Sequence, residues 1–290
     1  MSALAKGIAI GALGLALGGP PALSSAPKAP GGKAPTGSAA TAVATATGSG
    51  PGTVLSATAN CPRGSRAVGG GFEAPSSGQV AAVIFESARA RQRGWRASAQ
   101  LLDLGGSGGL TLTALAYCEP DAPKAKRRRS TAATGGQPQV GPTVGASCRR
   151  GEAALAGGFR MPPPLVSSAA KALVFDSHRT GDHAWATRVA TGAAGPSRVT
   201  TEVYCVRGLD PGPERTATSP LNAESFELST ALASCAPAAE RTGGFAQPLS
   251  GLGSFLFITE SRRGDGGWRV TGLHSGTSPS VAVSALAYCG

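Results

Sequence analysis

The sequence predicts an all-β protein made of three tandem antiparallel repeats, and two observations lead to that prediction. The first is cysteine spacing, because the 6 Cys among 290 residues fall into three pairs that are 57, 57 and 54 residues apart. The pairs are Cys61 with Cys118, Cys148 with Cys205, and Cys235 with Cys289. The second is a set of markers that recurs in the same order inside each pair, which indicates internal duplication.

The markers are a Gly-Gly-Phe step, an acidic residue followed by Ser-x-Arg, a tryptophan, and a tyrosine directly before the closing cysteine. In repeat 1 they are Gly70-Gly71-Phe72, Glu86, Ser87, Arg89, Trp95 and Tyr117. In repeat 2 they are Gly157-Gly158-Phe159, Asp176, Ser177, Arg179, Trp185 and Tyr204. In repeat 3 they are Gly243-Gly244-Phe245, Glu260, Ser261, Arg263, Trp268 and Tyr288. The 3 Trp and 3 Tyr of the chain all lie at these positions, so the repeat is specific.

Each repeat is predicted to form four or five strands, because its apolar runs are short and bounded by Gly, Pro or Ser. From Trp95 to Leu101, apolar and polar residues alternate, as in a strand with one buried face. No segment inside a repeat has a sustained helical period. The Gly-Gly-Phe step is interpreted as a bulge or a close approach of two backbones, because no strand-to-helix transition follows it.

Composition divides the chain further. Residues 1–26 have the layout of a signal peptide, with Lys6 before an apolar run and small residues up to Ala26. Cleavage after Gly18 or Gly19, or an uncleaved segment that tethers the chain, are alternatives. Residues 27–52 predict a flexible leader, and the repeats are assigned to 53–120, 143–208 and 226–290. A basic linker at 121–142 and a second linker at 209–225 are expected between them.

Two architectures fit these repeats. We favour a pseudo-threefold β-prism in which each repeat contributes one sheet, because a unit of about 65 residues has a marginal core by itself. Three separate small β domains are the alternative. In the prism, the chain is expected to be a monomeric pseudo-trimer.

Export favours disulfides, and two of the possible pairings would repeat three times along the chain. One joins the cysteines within each repeat, and the other joins neighbouring repeats. The bonds between neighbours would be Cys118–Cys148, Cys205–Cys235 and Cys289–Cys61. We favour pairing within repeats, because each repeat is then a self-contained unit that duplication can multiply.

The pattern resembles a small repeat domain of secreted bacterial proteins that has no defined activity and sometimes ends collagen-like chains. The matching segments begin Cys61-Pro62-Arg63-Gly64, continue with Ala67 to Phe72 and Gly94-Trp95-Arg96, and end Ala114-Leu115-Ala116-Tyr117-Cys118. More distantly, the triplication is similar to the β-prism of vitelline membrane outer layer proteins. Repeat 2 departs from the pattern with Arg149 in place of proline, and repeat 3 departs with Ala238 in place of glycine. The resemblance implies the fold and says little about chemistry.

Candidate ligand-binding residues are the tryptophans, as stacking platforms for sugars, and the acidic and arginine residues of the Ser-x-Arg element. They are Trp95, Trp185, Trp268, Glu86, Arg89, Asp176, Arg179, Glu260 and Arg263. The competing interpretations are core anchors for the tryptophans and turn-fixing polar pairs for the others. We expect no metal and no cofactor, although Asp176, His178, Asp182 and His183 lie within eight positions in repeat 2.

The leading functional prediction is a secreted or cell-surface, non-catalytic module that binds an extracellular glycan or an anionic cell-envelope polymer. A structural surface protein without a ligand is the alternative, and a secreted hydrolase using Asp176 and His183 is the third. The net charge of +11 and the basic run from Lys124 to Arg129 predict salt-sensitive attraction to acidic surfaces. We expect no specific nucleic-acid partner and no transmembrane segment.

Overall fold

The structure is a computed structural model that describes residues 40–76, 80–105, 108–135, 139–166, 169–170, 172–191, 196–220, 227–236, 240–247, 254–276 and 282–290. The predicted signal peptide at 1–26, residues 27–39 of the predicted leader and Ala238 lie outside the described residues. None of the described residues lies in a helix, and therefore no helix among them could cross a membrane.

Each repeat forms six main strands. In repeat 1 they are β1 (Ala40–Ser49), β2 (Val54–Asn60), β3 (Ser65–Glu73), β4 (Val80–Ala90), β5 (Gly94–Asp103) and β6 (Gly109–Pro120). In repeat 2 they are β7 (Lys126–Ala133), β8 (Gln139–Ser147), β9 (Glu152–Arg160), β12 (Ala172–Arg179), β13 (Ala184–Thr191) and β14 (Arg198–Arg207), with the short strands β10 (Leu165–Val166) and β11 (Ala169–Ala170) between β9 and β12. In repeat 3 they are β15 (Glu214–Pro220), β16 (Leu228–Ser234), β17 (Glu240–Ala246), β18 (Ser254–Gly264), β19 (Gly267–Gly276) and β20 (Ala282–Cys289).

The main strands form three six-stranded antiparallel sheets, which confirms the all-β, three-repeat prediction. Sheet A has the order β1-β6-β3-β18-β19-β16, sheet B the order β2-β5-β4-β9-β14-β7, and sheet C the order β15-β20-β17-β12-β13-β8. Every sheet therefore joins the first, sixth and third strands of one repeat to the fourth, fifth and second strands of another. The expectation that each repeat contributes one whole sheet is wrong, because each repeat contributes half of two sheets. The alternative of three separate domains is also excluded, since no repeat completes a sheet by itself.

The first strand of every repeat lies in a segment whose composition predicted a leader or a linker. β1 lies within residues 27–52, β7 within 121–142 and β15 within 209–225. All three are edge strands. In β1 the alanines Ala42, Ala44 and Ala46 pack against the core, while Val43 and Thr45 between them are exposed. Small inward residues and polar outward ones suffice for an edge strand, and this pattern resembles that of an irregular linker.

The disulfides join the cysteines within each repeat, as favoured from the sequence. Cys61 follows β2 of sheet B, whereas Cys118 lies in β6 of sheet A. The second disulfide likewise joins sheets C and B, and the third joins sheets A and C. The three bonds therefore connect all three sheets in a closed cycle, and the loop-entropy model gives each a stabilisation of about 4 kcal/mol.

The three phenylalanines of the Gly-Gly-Phe steps meet in the centre of the molecule. The ring of Phe245 makes edge contacts with those of Phe72 and Phe159, at centroid distances of 6.3 and 6.1 Å. Apolar residues of β4, β12 and β18 line the adjacent void, which measures ≈ 10 Å³. This volume holds at most about one water molecule, so the region around the three phenylalanines is a packed core and not a ligand cavity.

The two halves of each sheet meet through the Gly-Gly-Phe strand of one repeat and the acidic-Ser strand of another. In sheet B, only Glu86↔Arg160 and Ser87↔Phe159 pair β4 with β9. A Cβ atom at Gly158 would overlap the carbonyl oxygen of Ser87, so β4 passes directly over this glycine. Gly71 meets Ser261, and Gly244 meets Ser177, in the same way. Register shifts also lie just before each glycine pair, which confirms the interpretation as a bulge and a close backbone approach.

We predict that Gly158→Ala destabilises the protein by roughly 1–3 kcal/mol, because the added methyl group must displace the backbone of β4. Gly145→Ala in β8 is the matched control, since a Cβ atom there meets nothing within 4 Å. Urea unfolding of the oxidised protein measures both changes. Equal effects of the two substitutions would contradict the assigned role of Gly158.

Candidate functional site

The three tryptophans lie in the core, with 2% of the surface exposed in each. The ring of Trp95 covers Gly70 of its own repeat, where a Cβ atom would overlap the indole. Its Nε1–H donates a hydrogen bond of 3.0 Å to Ser87 Oγ. The matched contacts are Trp185 with Gly157 and Ser177, and Trp268 with Gly243 and Ser261. This placement corrects the expectation that the rings are open stacking platforms, because protein covers their faces.

Each tryptophan also contacts the tyrosine of another repeat. Trp95 lies edge-on to Tyr204 of repeat 2 at a centroid distance of 5.9 Å. The guanidinium of Arg89 lies 4.4 Å from the centroid of the same tyrosine ring, and the Arg89 backbone N–H donates to the Tyr204 hydroxyl at 2.7 Å. We term this group an inter-repeat clasp. The other two clasps are Trp185, Arg179 and Tyr288, and Trp268, Arg263 and Tyr117.

The charged groups of the Ser-x-Arg element have partners inside the protein. Arg89 is buried, and its guanidinium donates to the carbonyl oxygen of Ala67. Burial lowers the pKa of Arg89, and the negative charge of Glu202 opposes this shift. The Arg179 guanidinium similarly donates to the carbonyl oxygens of Pro211 and Gly212. These arginines therefore hold chain segments together, which agrees with the structural interpretation of the element.

The acidic members of the element form separate contacts. Glu86 accepts a hydrogen bond from Ser98 at 2.7 Å and pairs with Arg160. The other two contacts are Asp176 with His178 and Arg188, and Glu260 with Thr271 and Arg262. Each carboxylate therefore has hydrogen-bond or ion-pair partners in its own sheet.

The junction between repeats 1 and 2 carries a polar network that sequence reasoning missed. Arg160 bridges Glu86 of repeat 1 and Glu202 of repeat 2, with a distance of 3.1 Å from its Nε to Glu202. Glu202 also accepts a hydrogen bond of 2.7 Å from the Tyr204 hydroxyl and pairs with Arg127 at 3.5 Å. Glu202 lies two residues before Tyr204, and the residues two positions before Tyr288 and Tyr117 are Leu286 and Leu115. The tyrosine hydroxyl of this clasp therefore contacts a carboxylate two residues earlier on its own strand, where the other two repeats have leucine.

The histidines of repeat 2 do not form a metal site with their neighbours. His183 Nδ1 lies 2.7 Å from the carbonyl oxygen of Glu152, and His178 contacts Asp176. Within the described parts of the chain, no three His, Cys, Asp or Glu residues are grouped closely enough to hold a metal ion.

A group of exposed cations lies at one end of repeat 2. We term this surface the basic end face, formed by Lys124, Lys126, Arg149, Arg150 and Arg207. All five side chains are on exposed residues, and that of Lys126 is 71% exposed.

The backbone brings the three segments of this face together. Arg207 lies opposite Glu152 in the β14–β9 pairing, and Gly208 N–H donates to the carbonyl oxygen of Gly151 at 3.3 Å. Lys126 lies opposite Cys205 in the β14–β7 pairing. The pairing begins at Lys126, and Lys124 precedes the strand by two residues. Lys126 and Arg207 therefore lie on paired strands, and Arg149 and Arg150 lie on a hydrogen-bonded turn, whereas Lys124 lies in the segment before β7.

Glu152 is the carboxylate at the base of this face, and it is already engaged. It accepts hydrogen bonds from Arg128 Nη2 at 2.9 Å and from the Arg149 backbone N–H at 3.2 Å. The hydrogen bond from Arg128 holds the pKa of Glu152 below its ordinary value. Within the described residues, neither Asp121 nor Asp182 forms an ion pair with the face. Lys126 Nζ lies 4.0 Å from Glu152 Oε1, whereas the side chains of Lys124, Arg149, Arg150 and Arg207 form no ion pair with a described residue.

No protein-family model matches the chain, and no curated protein matches it either. The fold and the contacts define a class, namely an all-β, disulfide-linked protein in which three repeats share three sheets.

We predict that Tyr204→Phe costs more stability than Tyr288→Phe, with losses of about 1–3 kcal/mol and about 1 kcal/mol. Both substitutions leave a buried arginine N–H without its acceptor, but only Tyr204 also donates to a carboxylate. Urea unfolding at neutral pH provides the comparison. Equal losses would show that the contact with Glu202 contributes nothing.

A second prediction concerns alkaline pH. Burial raises the pKa of Tyr204 and Tyr288 above the ordinary value of 10.0. The folded protein therefore holds these protons at a pH where the unfolded chain releases them. The contribution to stability is complete below about pH 10 and is lost as the pH rises above it. Urea unfolding at several alkaline pH values should show this loss, and Tyr288→Phe should reduce it.

Proposed function

We propose that this chain is a secreted, non-catalytic module that binds an anionic polymer of the cell envelope through the basic end face. The observation that carries the proposal is the group of exposed cations around the engaged carboxylate of Glu152. The clasps use the tryptophans internally, so sugar stacking gains no support from them. Charge attraction is then the main recognition available at the surface described here.

The face is a property of repeat 2 and does not follow from the repeat pattern. The strand that corresponds to β7 is β1 in repeat 1, which contains no charged residue, and β15 in repeat 3, which contains Glu214 and Arg215. Arg150 has a counterpart in Arg63 of repeat 1, but Arg149 replaces Pro62. Repeat 1 also exposes arginines, namely Arg63, Arg91, Arg93 and Arg96, but it has no counterpart of Lys126, Arg149 or Arg207.

A structural surface protein without a ligand is the second candidate. It is favoured by the fact that the markers shared by all three repeats take part in clasps, junctions or the central core. The two candidates differ in what they require of the basic end face. Only polymer binding requires it.

The test replaces Lys124, Arg149, Arg150 and Arg207 with Gln and measures binding to an anionic envelope polymer across a salt series. The matched control replaces Arg63, Arg198, Arg215 and Arg269 with Gln, because these are also exposed and the net charge falls equally from +11. We expect the first variant to flatten the slope of log affinity against log salt by about 3, and the control to change it by less than about 1.

Three results would contradict the proposal. Equal weakening by both variants would mean that only the net charge matters. Binding to a neutral glycan that persists at high salt would indicate a different site. No binding by the unmodified protein would favour the structural candidate.

A further inference from the structure

The basic end face consists mainly of arginine. Arg149, Arg150 and Arg207 are its guanidinium groups, whereas Lys124 and Lys126 are its ammonium groups. A guanidinium presents N–H donors in a planar fork that binds phosphate or carboxylate through two hydrogen bonds at once. An ammonium group acts as a compact, strongly hydrated charge. The composition therefore favours recognition through directed hydrogen bonds in addition to attraction.

The three arginines lie on two separate chain segments. Arg149 and Arg150 lie on the turn between β8 and β9, where Gly151 has a φ of 77° and the Glu152 N–H donates to the carbonyl oxygen of Arg149 at 3.0 Å. Arg207 ends β14, and the hydrogen bond from Gly208 to Gly151 fixes that end against the turn. Fixed backbones reduce the conformational freedom that an anion must restrict when it binds.

The neighbouring hairpin supports the same turn. His183 contacts the carbonyl oxygen of Glu152 through Nδ1, and its own carbonyl oxygen accepts from the Cys148 N–H at 2.7 Å. The turn that carries Arg149 and Arg150 is thus held by a disulfide-linked cysteine on one side and by Glu152 on the other. The arginine side chains are exposed, but their attachment points are rigid.

We infer that the anionic groups bound by this face are phosphates, carried on a linear phosphodiester polymer. This inference rests on the proposed function and names the chemistry of its ligand. A phosphodiester has a tetrahedral phosphorus, so its two charged oxygens and two ester oxygens do not share one plane and donors can arrive from separate chain segments. A carboxylate offers two oxygens in a single plane, which one arginine fork can occupy. Guanidinium groups on a turn and on a neighbouring strand end match the first geometry better.

The test compares linear polyphosphate with polyglutamate of matched total charge at one ionic strength, by competition against a fluorescent polyphosphate. We expect polyphosphate to bind at least about 10-fold more tightly. Changing Arg149, Arg150 and Arg207 to Lys keeps every charge but removes the forks. This variant should lose about 5-fold or more of its affinity for polyphosphate while its affinity for polyglutamate changes by less than about 2-fold.

The control changes Arg63, Arg198 and Arg269 to Lys and should leave both affinities unchanged. Equal binding of the two polymers, or no effect of the arginine-to-lysine change, would overturn the phosphate assignment and leave the proposed function intact. Failure to bind either polymer would overturn both.

Two further probes identify the source of the phosphates. Poly(glycerol phosphate) and single-stranded DNA carry the same phosphodiester group on different backbones, and tighter binding of the first would assign the ligand to the cell envelope. Tighter binding of the DNA would retain the phosphate chemistry but overturn the envelope assignment. Binding to anionic phospholipid vesicles, but to neither polymer, would overturn the inference.

Discussion

The structure depends on the crossing of one repeat over another at the Gly-Gly-Phe strand. At Gly158 the backbone of β4 lies where a side chain would otherwise stand, and beyond this crossing Arg89 and Trp95 reach Tyr204 of repeat 2. Two strands separate Trp95 from Tyr204 within sheet B, so the clasp spans the junction between the half-sheets. A junction with so few paired residues needs this additional contact. The aromatic pair supplies apolar burial and favourable ring geometry together.

Sharing sheets also determines how stability is distributed. No repeat has a complete sheet, so the strand pairing of each depends on the other two. The disulfides reinforce this arrangement, because each joins two different sheets although both of its cysteines belong to one repeat. The marker residues that the three repeats have in common lie mostly in the interior. Differences between the repeats are left to the surface, where they can serve binding without disturbing the core.

The basic end face illustrates this division. Its position relies on shared features, namely the turn after the eighth strand, the end of β14 and a disulfide-linked cysteine. Its charge relies mostly on residues that repeats 1 and 3 lack, since Arg150 alone has a counterpart, Arg63 of repeat 1. Glu152 affects both the position and the charge of the face. Its carboxylate binds Arg128 and the turn, and it contributes one negative charge among several positive ones. The same repeat can therefore be a structural third of the molecule and carry the surface for which binding is proposed.

The sequence alone determined the number of repeats, the β class and the order of the markers, because duplication and residue alternation are local and visible along the chain. It also favoured the correct disulfide pairing. The tertiary structure decided which repeat each half-sheet joins, since pairing between distant strands leaves no local trace. It also decided that Trp95 is covered by Gly70 and Tyr204, and that the run at β7 is an edge strand. Burial and strand pairing depend on neighbours far away in sequence, and for that reason only the folded chain reveals them.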